Sequence, residues 1–205
     1  GFGSAGERCM AISVVVAVEP VADELIGKLT ERMGKLRTGD GRRGCDMGPL
    51  VTKEHRDRVA GYIDIAAADG ATVVVDGRNQ DFDGEPSGFW LGPTLLDRVP
   101  ITSKVYSDEI FGPVLSVISF RTPQEGIDKA NNTPFGLSAG IWSEKGSRTL
   151  WASQQLRAGV IWANTFNKFD PTSPFGGYKE SGWGREGGKH GLAAYLKTGK
   201  ESGGK

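Results

Sequence analysis

The chain has 205 residues, enough for one domain with a sizeable buried core but short for two large independent ones. Its 25 basic residues balance its 25 acidic ones, so nothing in the charge directs it to nucleic acid or an anionic membrane surface, and a neutral small molecule or a protein subunit is the expected partner. Two cysteines, Cys9 and Cys45, and two histidines, His55 and His190, are too few for a disulfide framework or a zinc site. The longest apolar run, residues 14–18, is too short for a bilayer, and no basic-then-apolar leader opens the chain, so the expectation is a soluble, cytoplasmic protein.

In chain order, residues 12–18 are β-branched and continuous, as in a strand buried on both faces, and Pro20 ends the run. From residue 21, Val21, Leu25, Leu29 and Met33 recur at helical spacing, with acidic residues early and basic ones late, which predicts a helix reaching toward Gly39. After a Gly/Asp loop, Thr52 is placed to cap a second helix that carries Val59, Tyr62 and Ile63 and closes at Gly70. Residues 72–75 read as a short strand and 76–93 as a long Gly/Asp/Pro-rich connection.

Further strands are expected at residues 94–96, 114–120, 139–142 and 160–163, with helices over 123–131 and 147–156 separating the last three. That alternation predicts an α/β fold: an open, largely parallel twisted sheet with flanking helices, over residues 1–186. Residues 187–205 are expected to form a C-terminal arm whose Gly-rich end, 199–205, is a disordered tail.

Gly1, Gly3 and Gly6 satisfy G-x-G-x-x-G, but a strand follows them where a dinucleotide-binding turn needs a strand before and a helix after, so they read instead as a tight approach to Cys9. The phrase Gly6-Glu7-Arg8-Cys9-Met10 puts a thiol in a Gly-rich turn just ahead of a strand, and the charge of Arg8 beside it favours the thiolate form. Taken alone, a free cysteine is more often a small buried apolar residue. What separates the two is the combination with Glu109-Ile110-Phe111-Gly112-Pro113 and with the phrase Ser173-Pro174-Phe175-Gly176-Gly177-Tyr178-Lys179-Glu180-Ser181-Gly182. Gly48-Pro49-Leu50, Asn131-Asn132-Thr133-Pro134-Phe135-Gly136-Leu137 and Trp162-Ala163-Asn164 agree with them.

In this order and at these separations, the phrases resemble the aldehyde dehydrogenase family over all but the last dozen or so residues. The resemblance implies that Cys9 attacks an aldehyde carbonyl, that the resulting thiohemiacetal gives up hydride to NAD or NADP, and that a thioester remains on the enzyme. A thiol suits this sequence of steps because it is both a strong nucleophile and a good leaving group. The same comparison implies that Glu109 accepts a hydrogen bond from the nicotinamide ribose, that Phe111 packs near the nicotinamide ring, and that Phe169 and Phe175 line the path of the aldehyde tail. Lys53, His55 and His190 read as exposed residues.

The family's general-base glutamate, its second oxyanion donor and its nucleotide-binding domain precede the nucleophile, so this chain is expected to be part of something longer. Residues 1–97 are most similar to the CoA-acylating methylmalonate semialdehyde dehydrogenases, which use CoA as co-substrate, and the remainder to the general branch, as a hybrid would be. A catalytically silent folding or assembly unit is the reading from another class. The resemblance also implies a homo-oligomer for the complete enzyme, although residues 197–205 are polar and Gly-rich where the family's arm adds a strand to a neighbour.

Overall fold

The computed structural model describes residues 1–197, so the Gly-rich tail lies outside the described residues. The chain divides into two compact units, Gly1–Lys129 and the residues from Ala130 onward. This division falls inside a helix, at 129/130.

The first unit holds β1 (Val14–Val18), α1 (Glu19–Met33), β2 (Thr38–Gly39), α2 (Lys53–Ala68), β3 (Thr72–Val75), β4 (Phe82–Asp83), β5 (Thr94–Asp97), α3 (Lys104–Ser107), β6 (Val114–Phe120) and most of α4 (Pro123–Asn131). Its main sheet has the order β1-β6-β5-β3. β1 lies parallel to β6 with Val14 opposite Ser116, β5 lies parallel to β6 with Thr94 opposite Val114, and β3 closes one edge antiparallel to β5.

Successive residues of a strand face opposite sides, and here both sides are covered. Leu95, Leu115 and Val117 join Ala17, and Ala22 and Met33 of α1, in one layer. Leu96, Val114 and Ile118 join Val59, Ile63 and Ala66 of α2 in the other. Two-sided burial is why these strands read as continuous apolar runs and do not alternate.

Two helix limits depart from expectation for local reasons. α1 begins at Glu19, with Pro20 inside its first turn, where a residue lacking an N–H costs nothing because that donor has no partner in the helix. It stops at Met33, because the Asp46 carboxylate accepts from the Arg37 backbone N–H at 2.9 Å and Gly39 N–H donates to the Met47 carbonyl, also at 2.9 Å, drawing the segment into β2 beside β4. α2 starts as the sequence suggests, with the Thr52 hydroxyl accepting from the His55 N–H at 3.1 Å.

The second unit holds β7 (Phe135–Gly136), β8 (Ser138–Ile141), α5 (Gly146–Gln155), β9 (Val160–Ala163), β10 (Tyr178–Lys179) and α6 (Gly188–Ala193). β8 and β9 are parallel with α5 as the crossover between them, while β7 pairs antiparallel with β10. The expected α/β class with mostly parallel strands is what the chain adopts, with the strands distributed over a four-stranded sheet and three two-stranded pairs. Among the described residues no helix is long and apolar enough to cross a membrane.

Ile63 is fully buried between α2 and the sheet. Ile63→Ala leaves a cavity that the sheet cannot close and is expected to lower stability by about 2–5 kcal/mol, whereas Thr52→Ala removes one cap bond and costs about 1 kcal/mol. Both are read as shifts of the denaturant midpoint at constant slope.

Candidate active site

The thiol of Cys9 is exposed. It sits in a turn closed by the Ala11 N–H donating to the Arg8 carbonyl at 2.9 Å, with Ala5 on one side and Met10 on the other buried in the unit. The preceding 3-10 segment, Gly3–Gly6, places Ser4 and Ala5 at φ near 53° and Gly6 at φ 71°. A Cβ on Gly6 would run into the carbonyl of Gly112, whereas one on Gly3 would meet nothing within 4 Å. Of the three N-terminal glycines weighed above, Gly6 is the one a close approach requires, and what it approaches is the 109–113 phrase.

That phrase forms the loop ahead of β6. Glu109 is exposed, Ile110 is buried, and Phe111 keeps 37 % of its surface exposed with its backbone in the left-handed region at φ 57°. A bulky residue held there costs on the order of 1–3 kcal/mol unless its surroundings impose the conformation. One face of α2 imposes it, through residues spaced at i, i+3, i+4 and i+7. His55 Nε2 lies 2.6 Å from the Phe111 carbonyl, Arg58 donates to the Ile110 carbonyl at 2.9 Å, and a Cβ on Gly112 would meet Val59 Cγ1 at 2.5 Å. Tyr62 donates to Asp108 at 2.9 Å, and burial, then that carboxylate, pushes the phenol up from its ordinary range.

His55 is therefore not the surface histidine that its lone position suggested. Its side chain is 20 % exposed and its Nε2 also stands 3.3 Å from the carboxylate of Glu7, itself 10 % exposed. A lone histidine carries no spacing signal. The signal available was the α2 face His55, Arg58, Val59 and Tyr62, which repeats at helical period beside a core residue. Lys53 is exposed and pairs with Asp57 at 3.0 Å on the same helix.

Phe169 and Phe175 belong to the second unit and are brought together there, 5.3 Å between ring centroids and near perpendicular. Phe169 continues edge-on to Trp162 at 5.5 Å, and Trp162 to Phe166 at 4.7 Å, in the offset and tilted arrangements that aromatic quadrupoles favour. Phe175 and Glu186 exchange backbone hydrogen bonds at 2.8 and 2.7 Å. The phrases 131–137 and 173–182 fasten to each other. Lys179 donates to the carbonyls of Asn131 and Thr133, both at 2.9 Å, and the Ser181 hydroxyl accepts from the Gly136 N–H at 3.0 Å. Burial pulls the Lys179 ammonium below its usual range.

Asn164, at φ 52°, extends the β8–β9 pairing by accepting from the Ser143 N–H at 2.9 Å and donating to the Ser143 carbonyl at 3.0 Å. An open groove of about 440 Å³ runs along α5 and is lined by Ser143, Thr149, Leu150, Ile161 and Asn164 among others, and none of the candidate residues lines it. Among the described residues no group of three His, Cys, Asp or Glu is placed to hold a metal ion.

Cys9 thus stands exposed in a tight turn that the Gly6 approach sets against the loop bearing the Glu109 carboxylate and the partly exposed Phe111. The sequence profile described as Aldehyde dehydrogenase family matches residues 1–200, and the chain belongs to that family. It is 39 % identical over 186 residues to malonate-semialdehyde dehydrogenase 2 of Geobacillus kaustophilus, covering 89 % of this chain and 38 % of that protein. It is 33 % identical over 198 residues to betaine aldehyde dehydrogenase of Bacillus subtilis, covering 96 % of this chain and 40 % of that protein. A solved betaine aldehyde dehydrogenase from Staphylococcus aureus, in complex with NAD+, superposes with a TM-score of 0.90 at 35 % identity, over 96 % of this chain and 39 % of that one. The chain thus spans about two fifths of the length of these relatives.

Gly6→Ala forces a side chain into both a positive φ and the Gly112 carbonyl and is expected to cost about 1–3 kcal/mol, whereas Gly3→Ala stays within about 0.5 kcal/mol of the parent. Paired denaturation curves of the two variants check the difference.

Proposed function

We propose that this chain is the catalytic portion of an NAD(P)-dependent aldehyde dehydrogenase, with Cys9 as its nucleophile. The observation that carries the reading is the close approach of Gly6 to Gly112, which sets the turn bearing the exposed thiol against the loop bearing Glu109 and Phe111.

In this reading the Cys9 sulfur, as the thiolate, attacks the aldehyde carbonyl carbon, forming the S–C bond while the carbonyl oxygen takes the electron pair. The Cys9 backbone N–H donates to that oxyanion, a preorganised dipole that water would have to reorganise to supply. Collapse of the oxyanion expels hydride and leaves a thioester on Cys9. Bound NAD(P)+ would supply the hydride acceptor, held by Glu109 and Phe111. The residues present suit such a cofactor: the exposed Glu109 carboxylate is an acceptor for a ribose hydroxyl, and Phe111, with its backbone fixed from α2, offers a flat apolar surface to the nicotinamide. We assign Phe169 and Phe175 to the aldehyde, their ring pair giving an apolar wall for its tail. We take residues 1–186 as the catalytic domain and 187–205 as the arm of a homo-oligomeric enzyme, and Leu192, Tyr195 and Leu196, all more than half exposed, give that arm apolar surface. A thiol nucleophile and a second free cysteine in one chain suit a reducing compartment, and we assign the cytoplasm.

A second reading, a CoA-acylating semialdehyde dehydrogenase, is favoured by the Gly6 to Ala11 phrase and by the likeness to a malonate-semialdehyde dehydrogenase. The two differ only in the acceptor that releases the thioester.

Iodoacetamide labelling followed by peptide mass spectrometry tests the reading. Cys9 is expected to label about tenfold or more faster than Cys45, as an accessible reactive thiol does, and an aldehyde with NAD+ is expected to protect it once the polypeptide carrying the family's cofactor-binding half is supplied. Cys9→Ser removes turnover in that mixture. Release of acyl-CoA on adding CoA would select the second reading, and labelling of Cys9 no faster than Cys45 with no protection would leave a catalytically silent unit.

A further inference from the structure

Glu7 and Phe111 stand on different loops, each two residues from a group in the proposed chemistry: Glu7 precedes Cys9 by two, and Phe111 follows Glu109 by two. His55 of α2 reaches both. Its Nε2 is 2.6 Å from the Phe111 carbonyl and 3.3 Å from Glu7 Oε1. Glu7 Oε1 also accepts from the Val51 N–H at 3.2 Å, which ties the nucleophile turn to the residue before the Thr52 cap. On the other side of the ring, Arg58 lies 3.2 Å from His55 Nδ1 while donating to the Ile110 carbonyl.

The chemistry of these partners orders the ring. A carbonyl can only accept, so Nε2 carries the proton, and a guanidinium can only donate, so Nδ1 offers its lone pair. The Nε2 proton then goes to the backbone of the cofactor-side loop, the carboxylate of the nucleophile turn stands 3.3 Å from the same nitrogen, and Arg58 meets the opposite ring nitrogen. Hydrogen bonds that involve a charged group, as those of Glu7 and Arg58 do, are stronger than neutral ones. The Glu7 carboxylate accepts from the Val51 N–H and stands 3.3 Å from His55 Nε2, and the left-handed backbone of Phe111 is held by His55 at its carbonyl and by the Arg58 bond one residue earlier.

We propose that His55 is a positioning residue that couples the Cys9 turn to the Glu109–Phe111 loop, so that the thiol and the cofactor-side contacts keep one register. The role assigned to those two loops rests on the dehydrogenase reading, while the mechanical coupling does not. Register of this kind matters because displacing reacting groups by about 1 Å can cost on the order of a hundredfold in rate.

Hydrogen exchange by mass spectrometry on the 205-residue chain, compared across His55→Ala, His55→Gln, Glu7→Ala and the double variant His55→Ala/Glu7→Ala, tests the coupling, with α1 as the internal reference. His55→Ala is expected to speed exchange about tenfold or more in both segments 7–11 and 108–112. His55→Gln, whose amide N–H reaches where Nε2 was, restores both. Glu7→Ala loosens the same two segments, and the double variant does no more than either single one, as members of one linkage should. Additive effects, loosening of only one segment, or a His55→Gln variant that recovers α1 but neither loop would overturn the proposal. Cys9 labelling in the same samples separates the two readings: slow labelling with intact coupling overturns the dehydrogenase reading alone, and fast labelling with uncoupled segments overturns the positioning role alone.

Discussion

The parallel pairing of β1 with β6 organises the candidate site, because parallel strands begin at the same edge of a sheet. The residues just before β1 carry Cys9 and those just before β6 carry Glu109 and Phe111, and about a hundred residues of chain separate them. Once Val14 stands opposite Ser116, the two loops have no choice but to meet, and Gly6 supplies the missing side chain that lets them meet backbone to backbone. An antiparallel pairing would have sent them to opposite ends. The arrangement also accounts for the idle G-x-G-x-x-G match: these glycines lead into a strand, and what they admit is the Gly112 carbonyl in place of a phosphate.

Helix α2 then does two jobs with two faces. Val59, Ile63 and Ala66 fill one layer of the core against β5 and β6. The adjoining stripe, His55, Arg58 and Tyr62, supplies donors to Phe111, Ile110 and Asp108 in turn. A loop whose backbone visits the left-handed region would relax if it were left to water. Anchoring three consecutive turns of a rigid helix to it converts that local cost into a fixed backbone path for residues 108–111. Stability of the core and geometry of the site are coupled here, since both hang on the same sixteen-residue helix.

The second unit is organised by phrases that hold each other. Asn131 accepts from the Arg157 N–H at 2.8 Å and donates to the Gln155 carbonyl at 2.9 Å, while Lys179 and Ser181 reach back to residues 131–136. The phrases by which the chain resembles its family are thus, in this unit, largely backbone carpentry, and the aromatic chain from Trp142 through Phe166, Trp162 and Phe169 to Phe175 is its main apolar feature.

By itself the sequence determined the α/β class, the strands at residues 72–75, 114–120 and 160–163 and the Thr52 cap, because each of these is written in local period or propensity. It could not show that α1 would accept Pro20 and release residues 38–39 to a strand, since that outcome turns on Asp46 and Met47 competing for the backbone. Nor could it show His55 at work, because a single imidazole means nothing until β1 and β6 pair and bring Glu7 and Phe111 within its reach. What only the tertiary structure decided were the contacts between residues far apart in sequence, whose energies depend on approach and burial and leave no periodic trace in the chain.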